Sequence, residues 1–466
     1  MKFRFETVIL AAQTFPTSPE AVNSIMGKKS KKKKPREHED IAASMFALTE
    51  QFRSMPEADR EGFMAEMEAA MESQLTEREI LSEYELDANG RTASVSRDFI
   101  VEGPGRGMDI VYIDNGLMEI AVLPGRGMGI WKATHRKIQG ELGWNSPVRH
   151  PVHPSMVNLE SRNGLGWLEG FNELVCRCGL SSNGPPGNDP QAKSSIESAL
   201  TLHGRIANIP AVDVEPVALY AASRTTKTST PQEIGVTGAV HESLLFGPQL
   251  RMQSVISSPV LSNEIVIADV IENTGSRAAE FQLLYHINIG RPFLEAGARL
   301  HVPAQAIVPR DPRAAEGIDS WSTYLGPTPG YTEEGFFFEP KANAAGDSVA
   351  LLTNAAGALG VAVRFQVANL PRFVQWKCTQ PEADGYVTGL EPATNFPNFK
   401  GYEREQGRVK SLAPGEKFQT SVMITILTTA REVAAVEAEI KAIQGDREVI
   451  VHRTPQPGWS PAGEPK

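Results

Sequence analysis

The chain has 466 residues, 41% hydrophobic and 22% charged, with 40 Gly and 33 Pro, a balance that belongs to a globular, turn-rich protein and excludes a fibrous or wholly disordered one. No apolar run approaches the roughly 18 residues that a membrane-spanning helix needs, and a net charge of −10 argues against general attraction of the folded body to nucleic acid or anionic lipid. Three Cys, an odd number, cannot build a disulfide framework and fit a reducing compartment, so the expected location is cytoplasmic.

Charge divides the N-terminal fifth from the rest. Residues 1–36 carry nine Lys and Arg against Glu6 and Glu20, most of them in the run Lys28–Arg36. Residues 1–38 therefore read as a basic, disordered tail. The apolar stretch Thr7–Ala12 is too short for a signal peptide, and Met26, directly before the basic run, is a candidate start. Residues 37–87 reverse the sign, with 15 Asp and Glu against three Arg. From Asp40 to Thr76, Ile41, Met45, Phe46, Leu48, Phe52, then Phe63, Met64, Met67, Met71 and Leu75 recur at three- and four-residue spacings. Pro56 stands where a second helix would begin and Ser54 can cap it. The expectation is a helical hairpin over 39–90, docked on the body or joining two copies into a homo-oligomer.

From Ser96 onward short runs of β-branched and aromatic residues alternate with turn clusters. Asp109–Ile113 and Leu117–Leu123 flank Asp114-Asn115-Gly116, a hairpin signal because Asn-Gly supplies positive φ angles. Strands are expected at Val212–Leu219, Gly235–Leu245, Met252–Ile256, Glu264–Ile271, Glu280–His286, Val349–Leu352, Gly360–Val367, Phe373–Lys377 and Phe418–Leu427, and a helix at Ala430–Ile443. Strands without intervening helices argue a large antiparallel all-β sandwich or barrel, spanning 91–466 with its short C-terminal helix. Two segments, Ala133–Leu200 with Trp144 and Trp167, and Ala304–Ala345 with Trp321, Tyr324, Tyr331 and Phe336–Phe338, are too long for plain connections. Aromatics on such loops suit a flat, partly apolar ligand such as a sugar ring; loops covering a sandwich edge explain them equally well.

The chemistry-bearing residues thin out quickly. Gly103-Pro-Gly105-Arg-Gly107 and Gly125-Arg126-Gly127-Met-Gly129 open no helix and lack a Walker Lys-Ser/Thr, so they read as strand ends where Gly lets the backbone bend. Cys176 and Cys178 lie on one face of a strand with no second pair, and His150-x-x-His153 has no carboxylate in register; no metal or cofactor is expected. There is no Gly-x-Ser-x-Gly elbow. Three places remain. His203 follows the long aromatic loop in Leu202-His203-Gly204-Arg205, His286 closes the strand Phe281–His286 just before Asn288, and Glu391 sits in Leu390-Glu391-Pro-Ala-Thr-Asn395-Phe-Pro-Asn398. Each alone has a structural explanation. Together two imidazoles and a carboxylate make an acid–base set working near neutral pH.

The order of these motifs resembles the galactose mutarotase-like (aldose 1-epimerase) superfamily. Val122-Leu-Pro-Gly-Arg126-Gly-Met, Leu142-Gly-Trp144-Asn-Ser-Pro, Gly166-Trp167-Leu-Glu-Gly-Phe-Asn172 and Cys178-Gly-Leu-Ser-Ser-Asn183-Gly-Pro-Pro look like its little-characterised bacterial branch, a domain of unknown function. The resemblance runs from about Phe99 to Leu427 and implies a large β-sandwich with a carbohydrate cleft on one concave sheet. It implies His286 as the acid on the ring oxygen, Glu391 as the base on the anomeric hydroxyl, on opposite sides of the sugar, and His203 as the stabilising histidine. Arg126, Trp167, Asn172, Arg205, Asn288 and Asn395 are the expected sugar contacts. The family's aspartate between the second His and the Glu has no clear match; only Asp319 and Asp384 fall in the interval. The expected activity is interconversion of sugar anomers without a cofactor. The alternatives are a noncatalytic carbohydrate-binding protein on the same scaffold, or a glycoside hydrolase or lyase, which would need a second carboxylate facing Glu391.

Overall fold

Alternation along a few long strands sets the architecture. In Ala279–Ile289, Leu283, Tyr285 and Ile287 point to one face while Leu284, His286 and Asn288 point to the other, and all six are buried. A strand covered on both faces needs layers on both sides, and the computed structural model provides them. It describes residues 78–87, 90–220 and 231–465. A 14-stranded sheet and an eight-stranded sheet share one core, which Val175, Leu283, Tyr285, Leu390 and Phe373 enter from the first and Val236, Ile256, Ile267, Val363 and Ile424 from the second. Pairing is antiparallel throughout the central strands, as expected for a sandwich.

The centre of the large sheet runs Val175–Leu180, Ala279–Ile289, Val387–Ala393, Arg372–Cys378, Glu334–Pro340. Its second face carries a smaller apolar cluster of Trp167, Phe171, Cys176, Cys178, Leu284, Phe337, Val374 and Phe396. That face holds the candidate site.

The basic tail and the periodic stretch Asp40–Thr76 lie outside the described residues. The end of the expected hairpin, however, is a strand, Glu79–Glu85, whose Leu81 and Tyr84 pack against the main core. The Asp-Asn-Gly turn forms between Asp109–Asp114 and Met118–Leu123 with positive φ at Gly116 alone. Asn115 is fully buried, caps the turn through Oδ1 and sends Nδ2 to Ser258 Oγ and to two carbonyls beside it. The turn is thus pinned to the opposite sheet. The C-terminal helix, Ala430–Gln444, begins with a capping box between Thr429 and Glu432 and buries Val433, Val436 and Ile440.

The second long segment is only partly a loop. Ala304–Pro309 and Glu334–Pro340 are strands of the large sheet, and Phe336–Phe338 belong to the second of these. Phe336 and Phe338 face the main core while Phe337 faces the smaller cluster, so both sides are apolar and no alternation marks the strand.

Candidate functional site

His286 and Glu391 meet because of register. Pairing Ile287 with Leu390 and Leu284 with Ala393 sets His286 directly across from Glu391 on the neighbouring strand, both on the outer face. His286 Nε2 lies 3.2 Å from Glu391 Oε1. The approach is not aligned as a hydrogen bond, and Oε1 is left buried without a partner. His286 is 4% exposed and Glu391 2%. Two residues before Glu391 on the same strand, Gly389 keeps space open, since a Cβ there would stand 2.2 Å from Glu391 Oε1.

His203 reaches the same place from a loop. It has φ of 56°, in the left-handed region that His tolerates better than most residues. Its N–H donates to the Gly184 carbonyl at 2.9 Å and its own carbonyl accepts from Gly179 N–H at 2.9 Å. Gly204 beside it is irreplaceable for the same reason: a Cβ would come within 2.3 Å of the Ser182 carbonyl. The His203 ring centroid is 5.6 Å from that of His286. Trp167 packs on His203 at 4.7 Å, Phe171 on His286 at 5.0 Å and Trp376 on His286 at 5.4 Å, so the floor is walled by aromatic rings.

Both imidazoles are fixed through Nδ1. The Asn288 amide nitrogen donates to the carbonyls of Glu173 at 2.9 Å and His286 at 3.3 Å, which only accept, so Asn288 Oδ1 is the atom facing His286 Nδ1 at 2.6 Å. His203 Nδ1 faces the Asn183 carbonyl at 2.8 Å. Each Nδ1 must therefore carry its proton, and each Nε2 is the nitrogen left for chemistry. Asn395 stands behind this contact, exchanging hydrogen bonds with the Asn183 amide at 3.0 and 3.2 Å.

Burial sets the charge states. It lowers His286 to about 3, with His203 nearby adding to the effect, and lowers His203 to about 4. It pushes Glu391 well above the ordinary carboxylate range; Arg310 opposes that shift and Glu333 adds to it. Burial thus favours the uncharged form of all three groups. The resemblance implies an imidazolium and a carboxylate across a sugar ring; here the two groups stand side by side, and burial disfavours the charged form of each.

The other expected contacts divide. Trp167 joins the floor, and Asn288 and Asn395 touch it through the histidines. Arg126 is 1% exposed and its guanidinium is taken up by Glu173 at 2.9 Å, the Gly170 carbonyl at 2.9 Å and Asn208. It braces the framework and does not face a ligand. Gly127, at φ 60° and with a Cβ position 2.2 Å from the Ile206 carbonyl, is the bend that turns Arg126 inward. Asn172 is likewise buried and donates to the Val148 and His150 carbonyls. Arg205 keeps its side chain exposed on the loop beside His203. Asp319 pairs with Arg453 in solvent, and Asp384 lies in the helical turn Glu382–Asp384.

Sequence reasoning missed Arg310 and Glu333. These half-buried side chains pair at 3.0 Å, Glu333 accepts from Trp376 Nε1 at 2.5 Å, and their charges act on Glu391 and His203. Glu333 falls in the interval searched for an aspartate, just ahead of the aromatic run Phe336–Phe338, which was the available signal; its closeness to Trp376 follows from the Gly335–Trp376 pairing, which the sequence does not show. Among the described residues no group of three or more His, Cys, Asp or Glu is placed to hold a metal ion.

A family model described as Domain of unknown function (DUF4432) matches residues 105–426, a span that includes every one of these groups. The chain belongs to this family. Among solved structures, a Klebsiella pneumoniae protein described as a candidate aldose 1-epimerase is 33% identical, with a TM-score of 0.73 over 81% of this chain and 98% of that one. A galactose mutarotase-like protein from Clostridium acetobutylicum (14% identical, TM-score 0.46, 72% and 98% covered) and galactose 1-epimerase from Lactobacillus acidophilus (14%, 0.44, 72% and 98%) are also found. No curated protein matches. The DUF4432 chain thus has the galactose mutarotase-like fold that its motifs suggested, and among its described residues no helix is long and apolar enough to cross a membrane.

Proposed function

We propose that this DUF4432 protein interconverts the anomers of an aldose or aldose derivative by acid–base opening of the ring. One observation carries the reading: His286 Nε2 and Glu391 Oε1 are two proton-handling atoms 3.2 Å apart on adjacent strands, the oxygen buried with no hydrogen-bond partner among the described residues, beside half-buried His203, Trp376, Arg310 and Glu333.

Opening a cyclic hemiacetal requires one proton to leave the anomeric hydroxyl and another to reach the ring oxygen. Both oxygens are bonded to the same carbon, so two neighbouring side chains can serve both. Rotation about the bond to the freed aldehyde and reclosure give the other anomer. Each positioned acid or base contributes about 10²–10⁴ in rate. Trp376 and Trp167 offer apolar surface to a sugar face, and Glu333 and Arg310 offer an acceptor and a donor to its hydroxyls. The name carried by the Klebsiella relative supports the reaction class.

Nuclear magnetic resonance of anomer exchange across a panel of aldoses tests the proposal. Wild-type protein accelerates exchange of at least one sugar and Glu391→Gln loses that acceleration. Saturable sugar binding without acceleration would instead favour a noncatalytic carbohydrate-binding protein, a reading to which the deep burial of His286 and Glu391 lends support.

A further inference from the structure

We propose that Glu391 enters the reaction as the proton donor and His286 Nε2 as the acceptor, with Asn288 as the positioning residue that fixes this assignment. The inference rests on the anomer-exchange reading and reverses the roles the resemblance implies.

The argument begins at Asn288. Its amide cannot be turned over, because the nitrogen faces two carbonyl oxygens, and so its oxygen claims the His286 Nδ1 proton. The Glu173 carbonyl that holds Asn288 also accepts Trp144 Nε1 at 3.1 Å, and the Glu173 carboxylate is locked by Arg126 Nε at 2.9 Å and the Asn172 N–H at 3.0 Å. The chain Arg126–Glu173–Asn288–His286 therefore leaves Nε2 as the free nitrogen, and because an unprotonated Nε2 facing a carboxylate oxygen at 3.2 Å would set two lone pairs against each other, the pair holds one further proton. Placing it on Nε2 would create an imidazolium and a carboxylate where Glu391 Oε1 receives no hydrogen bond and aromatic rings replace water. A buried ion pair is favourable only when its remaining lone pairs are satisfied, and here they are not. The proton belongs on Glu391.

The neighbouring charges leave that balance in place. Cys176 and Cys178, on the strand beside His286, are buried thiols raised by desolvation. His203 holds its Nδ1 proton on a carbonyl, Arg126 is matched by Glu173, and Arg310 is matched by Glu333 and by Asp311. One guanidinium shared by two carboxylates leaves a negative charge at the rim, and Glu333 there favours the protonated carboxyl of Glu391.

The step balances. Glu391 gives its proton to the ring oxygen as the bond from that oxygen to the anomeric carbon breaks. The anomeric hydroxyl gives its proton to His286 Nε2 as the carbonyl forms. The open chain now faces a carboxylate and an imidazolium, and a ligand oxygen separates them. Reclosure returns the ring hydroxyl proton to Glu391 and the Nε2 proton to the new anomeric oxygen, restoring the resting pair.

The full chain, without sugar at pH 7, provides the first test. Infrared difference spectra of wild type against Glu391→Gln should contain the C=O stretch of a protonated acid, and nitrogen-15 resonances should show His286 protonated on Nδ1 only. A carboxylate band with a His286 imidazolium overturns the proposal. Asn288→Asp supplies a second test, since a carboxylate on Nδ1 favours the imidazolium: the acid band should disappear and the acid limb of the anomer-exchange profile should move to higher pH. An unchanged band and limb would show that Asn288 does not set the assignment. If wild type turns over no sugar, the anomer-exchange reading fails and the catalytic roles fail with it; the spectra on unliganded protein would still say where the resting proton sits, so the two failures are distinguishable.

Discussion

The two faces of the central strands each carry a buried polar cluster, and the clusters are built on opposite principles. Arg177 and Cys176 are sequence neighbours, as are Tyr285 and His286, yet the pleat sends one of each pair into the sandwich and the other to the outer face. Inside, Arg177 forks onto Asp269 at 2.9 and 3.0 Å, donates to Ser254 Oγ at 2.6 Å and to the Met128 carbonyl, while Tyr285 donates to Asp269 at 2.7 Å. Every charge is answered. Outside, His286 and Glu391 approach to 3.2 Å and an oxygen stays without a partner. A satisfied network fixes the two sheets relative to each other. An unsatisfied pair costs stability unless something else completes it, which is why our proposal places the ligand at the second cluster.

The largest effect should come from breaking the satisfied side. Asp269→Ala strands a fully buried guanidinium and should lower stability by about 3–5 kcal/mol in a denaturant titration, with activity falling only as the folded fraction falls. Glu391→Gln should do the opposite: a loss of about 10²–10⁴ in anomer exchange with an unfolding midpoint at or above that of wild type, because a neutral acid is replaced by a neutral amide. Finding the stability loss in the second variant and not in the first would erase the distinction between the clusters.

The distinction was half visible in the sequence. Leu-Glu391-Pro and His286, expected at a strand end although the strand runs on to Ile289, stood out because ionisable groups interrupt apolar runs; the strands' positions followed from runs of β-branched and aromatic residues, but their ends did not. Arg177 was invisible for the same reason that Phe336–Phe338 were misplaced: where both faces are covered, inward and outward positions look alike. The fate of Arg126 was also hidden, since a Gly-Arg-Gly turn specifies a bend but not the partner, Glu173, that lies 47 residues on. Charge states were the least legible of all. They depend on desolvation by Trp167 and Phe171 from one segment and Trp376 from another, about 200 residues on, and no local pattern records that convergence.

Acid should separate the clusters by titration. In the unfolded chain His203 and His286 take up protons near pH 6.5, whereas in the folded protein they do so only at about 4 and about 3. Between these limits the unfolded state binds more protons at these two positions, so the histidines' contribution falls as pH drops from about 6.5 through about 4, by up to about 1.4 kcal/mol per pH unit for each, while the raised Glu391 acts in the opposite sense above its ordinary value. The measurement is ΔG of unfolding against pH, and the double variant His203→Asn, His286→Asn should flatten the slope across this window. A slope of equal size in the double variant would place the acid sensitivity elsewhere.

The subtlest test concerns geometry without charge. Gly389 has ordinary strand dihedrals, so Ala fits its backbone, but the added Cβ would lie 2.2 Å from Glu391 Oε1 and 3.1 Å from Trp376 Cβ. The nearer atom is the end of a flexible side chain, which can rotate away at little cost, so Gly389→Ala should change stability by less than about 1 kcal/mol, at the mild end of overpacking. Rotation carries the carboxyl away from His286 Nε2, however, and misplacing a reacting group by about 1 Å can cost about 10²-fold in rate. Activity should therefore fall while folding does not, and Gly389→Ser should behave alike because its Cβ occupies the same position. Equal losses of activity and stability would mean that Gly389 serves the packing of the strand, and that the space beside Glu391 is not reserved for the proton-transfer geometry.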